Sequence, residues 1–194
     1  MKELVEGVHR FQSTVFPEKA QLFAKLAGGQ APHTLLITCS DSRIDPSLLL
    51  QTEPGDIFVD RNPGNIVPAA DPEAASNDGS VASIEFAIVV LGVSQIVVCG
   101  HSDCRAMTSL LRGGTSNMPA VDRWLEHSAT LVEASDPDEI DDFIEQNVLL
   151  QLEHLRTHEL VAEAISKGLT LEGWIYEIGT GDVRRYDGEG FVSL

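Results

Sequence analysis

Basic residues are scarce in this 194-residue chain: 13 lysines and arginines stand against 30 aspartates and glutamates, a formal charge of −17. That balance excludes a nucleic-acid backbone or an anionic membrane surface as the main partner, because both call for a cationic footprint. Any anionic substrate must be drawn in by a local positive feature, since the overall field repels it. Long apolar runs are also missing, and none approaches the roughly 18 residues a membrane span needs. The opening Met1-Lys2-Glu3-Leu4-Val5-Glu6 lacks the basic-then-apolar pattern of a secretory leader, so a soluble, cytoplasmic protein is expected. Cysteine is rare and odd in number, at positions 39, 99 and 104. That disfavours a disulfide framework and directs attention to metal binding or catalysis. With 43% hydrophobic residues the chain can build a sizeable core, and its length fits one domain.

Residues 1–28 read as two helical pieces broken near Pro17, with apolar stripes through Val5, Val8 and Phe11, then Phe16, Leu22, Phe23 and Leu26. This arm precedes the first strand, so it cannot be a crossover; it is expected to pack on another part of the domain or on a second subunit. Residues 29–194 are read as a single α/β domain. Leu35 to Cys39, Asp56 to Asp60 and Gln95 to Cys99 are short apolar runs expected as strands, with a helix from Ser80 to Leu91 between the second and third. Strands alternating with helices imply a parallel sheet. Helices are expected over Pro119 to Leu131, Ile140 to Leu155 and around Leu160 to Ala164, and a hairpin over Leu169 to Ile178 and Val183 to Tyr186. Asp136-Pro137-Asp138-Glu139 is an acidic helix start, and residues 69–80 are the one loop long enough to be mobile.

The chemistry-bearing residues cluster after two of the strands. The first ends in Cys39-Ser40-Asp41-Ser42-Arg43, the third in Cys99-Gly100-His101-Ser102-Asp103-Cys104. Carboxyl ends of neighbouring parallel strands are where open sheets build ligand sites. Cys39, His101 and Cys104 offer two thiolates and an imidazole, a donor set that suits tetrahedral zinc. A helix starting near Ser102 would help keep Cys104 ionised. Three protein ligands leave a fourth position, where bound water would ionise near pH 7. Asp41 and Arg43 are spaced to pair, which would hold the carboxylate as a hydrogen-bond acceptor; if the pair opened, Asp41 could occupy the fourth position itself. Cys99 alternates away from this site and reads as core. His33, His127, His154 and His158 read as surface or packing residues, and Trp124 and Trp174 as core.

At these residues the chain resembles the β-class carbonic anhydrases, nearest to bacterial forms associated with cyanate metabolism. The matching pieces are Cys39-Ser40-Asp41-Ser42-Arg43, Glu53-Pro54-Gly55-Asp56, Phe58-Val59-Asp60-Arg61-Asn62, Ser83-Ile84-Glu85-Phe86-Ala87 and Gly100-His101-Ser102-Asp103-Cys104, in the family's order. The resemblance implies four mostly parallel strands plus a C-terminal antiparallel strand, flanked by helices. It implies a homodimer or higher even-numbered oligomer whose N-terminal arms wrap the partner. It also implies one zinc ion per subunit, on Cys39, His101 and Cys104, beside an Asp41–Arg43 dyad. Gln30 matches a glutamine that reaches substrate across the dimer interface. Phe58 and Phe86 match residues lining the apolar pocket, and Pro63 and Gly100 also fall at substrate-pocket positions. Pro63 and Arg105 depart from the usual residues, Val or Ala and Gly respectively. Leu36 and Thr38 replace the Trp and Gly of a bicarbonate-regulated subgroup, so that inhibitory site is not expected.

The expected reaction is reversible hydration of carbon dioxide to bicarbonate and a proton, by attack of a zinc-bound hydroxide. Hydrolysis of COS or CS₂ on the same scaffold, and a purely structural zinc, are the competing readings. No residue is assigned as proton carrier.

Overall fold

Six strands pair in the order β2-β1-β3-β4-β5-β6. This computed structural model describes residues 2–71, 78–115, 117–136 and 138–194. Residues 72–77 of the expected mobile loop, and Pro137 of the expected acidic helix start, lie outside the described residues.

The chain divides into two compact units, Met1–Ala31 and Pro32–Leu194. In the first, α1 (Lys2–Arg10) runs through a wide π turn at Phe11–Val15 into the short α2 (Phe16–Glu18), and α3 (Ala20–Leu26) follows. The break expected near Pro17 falls at Lys19, two residues on, whose φ of −105° leaves the helical region. Proline lacks a donor and crowds the carbonyl four residues back, and the wide turn just upstream lets the helix accommodate it. Phe11, Phe16 and Phe23 pack together, with Phe16 and Phe23 stacked at 5.1 Å between ring centroids. None of these helices has a buried residue, and Leu4, Val5, Val8, Phe11, Val15 and Phe16 are exposed.

In the second unit the strands are β1 (Thr34–Cys39), β2 (Ile57–Asn62), β3 (Gln95–His101), β4 (Thr170–Tyr176), β5 (Val183–Tyr186) and β6 (Phe191–Ser193). β1 to β4 are parallel; β5 runs antiparallel to β4, and β6 antiparallel to β5. The last strand, Phe191–Ser193, extends the expected hairpin and has no counterpart among the sequence expectations; three residues carry too short a pattern for period-two alternation to register. Helices α4 (Pro46–Leu50), α5 (Gly79–Phe86, continued by a π turn Ala87–Leu91), α6 (Arg105–Leu111), α7 (Pro119–Leu125, continued as a 3-10 helix to Ala134), α8 (Ile140–Thr157) and α9 (Glu159–Ser166) complete the unit. No described helix is long and apolar enough to cross a membrane.

Strand alternation sorts the core. Leu35 and Ile37 of β1 and Ile96 and Val98 of β3 join Ile84, Met107, Phe143, Ile144 and Val148 in the main cluster. Leu36, Val97 and Cys99 form a second cluster with partly buried Leu50, Val59, Trp174 and Tyr176. α8 comes so close to the sheet that a Cβ on Gly100 would lie 2.7 Å from Val148 Cγ2, and one on Gly173 2.9 Å from Val148 Cγ1.

The order β2-β1-β3 fixes where a site can form. From β1 the chain moves to β2 on one side, then returns past β1 to β3 on the other. The crevice at such a reversal, beyond the carboxyl ends of the strands, is where open α/β sheets bind ligands. Thr38 pairs with Cys99, so the ends of β1 and β3, carrying Cys39 and His101, lie side by side at this point.

Candidate metal centre

Cys39, His101 and Cys104 converge from these two strand ends. Their ligand atoms all lie within 4.8 Å of one another, and the three residues are buried. His101 is fully buried; its Nδ1 pairs with the Ser102 carbonyl oxygen at 2.9 Å, which makes that nitrogen the N–H donor. Its Nε2 is therefore left with a lone pair, buried and without a hydrogen-bond partner. An unpaired buried acceptor is costly, and a ring nitrogen fixed by a backbone carbonyl and aimed at two sulfurs is the arrangement of a metal-ligating histidine.

The two thiols depend on each other. The Cys39 thiol is held well below its usual range, first because Cys104 donates to its sulfur and also through the backbone amide of Gly64. That amide stands 3.4 Å from Cys39 Sγ. Cys104 is pushed up by the same contact with Cys39 and by burial. Two sulfurs this close cannot both ionise without a cation between them. A divalent ion in place of the shared proton would satisfy both sulfurs and the orphaned nitrogen, so the donor set fits zinc. The helix after β3 begins at Arg105, which leaves Cys104 in the N-cap position facing the amides of Ala106 and Met107.

Asp41 and Arg43 pair as their spacing suggests. Arg43 Nε donates to Asp41 Oδ1 at 3.0 Å and Nη2 to Oδ2 at 2.7 Å, while the Arg43 amide donates to Oδ1 at 2.9 Å. This grip keeps the Asp41 carboxyl ionised well below the ordinary carboxylate range. Asp41 is not a member of the three-residue cluster.

Phe58 and Phe86 also meet, at 5.9 Å between ring centroids. The register sets Phe58 beside Leu35, four residues before the level of Cys39 and about 13 Å along the strand. Phe86 is exposed, as are Val89 and Val90 on the same helical run. Gln30 belongs to the first unit and is exposed there. Pro63 is exposed, and its carbonyl accepts a hydrogen bond from Trp124 Nε1 at 2.9 Å. The bare Cα of Gly100 faces α8 and Ile175. Arg105 is exposed. Cys99 lies in the second core cluster, with its thiol pushed up to about 12 by burial. His154 and His158 reach the carbonyls of Val67 and Pro68 as packing residues.

Two supporting residues carry no assignment from the sequence. Arg61, on β2, donates from Nε to the Cys39 carbonyl at 3.1 Å and from Nη2 to the Asp41 carbonyl at 2.7 Å, strapping the loop that carries both. Asn62 closes the turn after β2: its Nδ2 donates to the Ile66 carbonyl at 2.9 Å and its Oδ1 accepts from the Ile66 amide at 2.7 Å. That turn delivers the Gly64 amide to the Cys39 sulfur. The available signal is a cation and an amide side chain ending a strand within a family-like motif, but the partners of Arg61 lie on another segment.

The carbonic anhydrase family profile matches residues 34–183. A carbonic anhydrase of Pseudomonas aeruginosa is 45% identical over all of this chain and 92% of its own length. Carbonic anhydrase 1 of Escherichia coli O157:H7 is 44% identical with the same coverage. Among solved structures, the β-carbonic anhydrase CcaA superposes with a TM-score of 0.92 at 40% identity, covering 100% of this chain and 92% of that one. A tetrameric β-carbonic anhydrase from Sordaria macrospora gives 0.85 at 30% identity over 96% of each chain. With the paired strand ends, the Cys-His-Cys cluster and the Asp–Arg pair all in place, this chain belongs to the bacterial β-class carbonic anhydrases.

Proposed function

We propose that the protein catalyses the reversible, zinc-dependent hydration of carbon dioxide to bicarbonate and a proton, with Cys39, His101 and Cys104 as the metal ligands. The observation that carries this is the unpartnered, buried Nε2 of His101, in a cluster with two sulfurs whose ligand atoms all lie within 4.8 Å of one another. When bound, zinc at such a site acts as a Lewis acid that brings the pKa of a water to about 7 and so supplies a nucleophile at neutral pH.

The chain's own residues do the rest. Asp41, kept ionised by Arg43, can only accept a hydrogen bond. It would hold the nucleophile's proton away from the carbon dioxide carbon and leave a lone pair free for attack. Arg61 fixes the backbone that carries both Cys39 and Asp41, which limits the rotations the site would otherwise have to freeze during reaction. Arg61, which donates to carbonyl oxygens here, is also a local positive charge for bicarbonate in a chain of net charge −17, whereas the charge of Arg43 is offset by Asp41 and Asp103.

The working unit in this reading is an even-numbered homo-oligomer in the cytoplasm, where the three free thiols would stay reduced. The N-terminal unit would act as an arm on a second copy, covering its exposed apolar stripe. Phe58, Phe86 and Gln30 would then line a neighbouring copy's pocket; the strand register supports this because it keeps Phe58 away from its own ligand cluster.

The test is stopped-flow carbon dioxide hydration with zinc content measured on the same sample. One zinc per chain and rapid hydration are expected. Full activity in protein stripped of metal would overturn the reading. Faster turnover of COS than of carbon dioxide would move the substrate assignment.

A further inference from the structure

Asp103 sits between the two ligand-bearing residues of its segment, and no step of the proposed reaction uses it. Its backbone is left-handed, with φ of 53°, a conformation uncommon outside glycine and one that aspartate tolerates better than most. The turn presents two acceptors to one guanidinium. Arg43 Nη1 donates to Asp103 Oδ2 at 3.0 Å, and Arg43 Nη2 donates to the Asp103 carbonyl at 3.1 Å. The adjoining edge of the same guanidinium, Nε and Nη2, holds Asp41. Arg43 is thus a planar bridge from the end of β1 to the loop after β3, with a carboxylate on each edge.

We propose that Asp103 is a positioning residue: by anchoring Arg43 at its far edge, it keeps Asp41 turned away from the fourth position of the metal centre. Arg43 is partly exposed, with 40% of its side chain in solvent. A long cation in water loses rotamer entropy when it is held in one geometry. One exposed partner seldom holds such a side chain firmly; two partners on separate segments, gripping both edges of a rigid fork, hold its plane. Without the second anchor Arg43 turns more freely and releases Asp41. A freed carboxylate two residues from Cys39 is itself a zinc ligand and competes for the position an exchangeable molecule needs.

The inference rests on the metal-centre reading above, and the experiment separates the two. Cobalt(II)-substituted protein is titrated with azide and followed by its visible spectrum, which reports directly on the exchangeable position. Wild type, Asp103→Gly and Asp103→Asn are compared, each with Asp41 intact and with Asp41→Asn. Glycine tolerates the left-handed backbone, so it removes the side chain alone. Asparagine keeps that backbone and one acceptor oxygen.

Asp103→Gly should weaken azide binding about two- to fivefold, the scale of one exposed ion pair, and Asp103→Asn should recover most of the loss. With Asp41→Asn, Asp103→Gly should have no such effect. Removing a negative charge would by itself strengthen anion binding, so the expected fall runs against simple electrostatics. Unchanged or tighter azide binding in Asp103→Gly overturns the inference, as does an equal fall in the Asp41→Asn background. Wild-type protein that takes up no cobalt overturns the metal-centre reading and this inference with it.

Discussion

Cys39 and Cys99 lie on neighbouring strands, both are nearly fully buried, and their thiols are driven in opposite directions. Cys99 faces Leu36 and Val97, and burial, which outweighs a contact with the Thr38 hydroxyl, pushes it up to about 12. Cys39 faces Cys104 and the amide of Gly64, which pull it down. Burial alone therefore does not make a cysteine inert or reactive; the donors around the sulfur decide. Strand alternation assigns each thiol its surroundings, since one residue's shift carries a side chain to the opposite face of the sheet.

The largest break in this contrast is at the ligands. Cys39→Ser or Cys104→Ser should abolish stoichiometric zinc and cut carbon dioxide hydration by about 100-fold or more, beyond what loss of an outer partner costs; metal analysis and stopped-flow assays check both. Next is the glycine beside Cys99. Gly100→Ala places a Cβ 2.7 Å from Val148 Cγ2 and 3.2 Å from Ile175 Cδ1, so α8 must shift. A loss of about 1–3 kcal/mol in urea unfolding is expected.

Arg61→Met removes the strap on the Cys39–Asp41 loop while keeping most of the side chain's bulk. Zinc affinity, measured by chelator competition, should fall about tenfold, with the fold retained. The smallest effect at neutral pH belongs to Cys99→Ala: about 1 kcal/mol of stability, with zinc content and activity unchanged. Its signature lies at high pH. The Cys99 thiol is raised from 9.0 to about 12, so the folded chain holds a proton that the unfolded chain gives up. That contribution is complete below pH 9.0 and is lost as pH rises toward 12. Cys99→Ala should flatten the alkaline decline of the unfolding midpoint over that window, whereas an unchanged slope would show that other groups control it.

Much of this contrast is legible in the order of residues alone. The period-two alternation of Gln95 to Cys99 separates Cys99 from the site, and the Asp41–Arg43 spacing anticipates their ion pair. The sixth strand escapes because three residues carry too short a pattern. Arg61 and Asp103 escape for another reason: their partners are 20 to 60 residues away, and a cation or a carboxylate at a strand end looks the same whether it is solvated or anchors a neighbour. Proline removes a donor, so a break reads near Pro17, and it comes at Lys19 once the wide turn has carried the helix on to Glu18.

The amino-acid sequence by itself determined the kinds of ligand, their order along the chain and the faces on which the buried thiols fall, because these follow from residue chemistry and from periodicities spanning a few positions. Only the tertiary structure decided that β1 lies between β2 and β3, and so that Cys39 meets His101 and Cys104 and that one guanidinium joins Asp41 to Asp103. Strand order is chosen by packing and loop closure over the whole domain, and no local pattern encodes that choice.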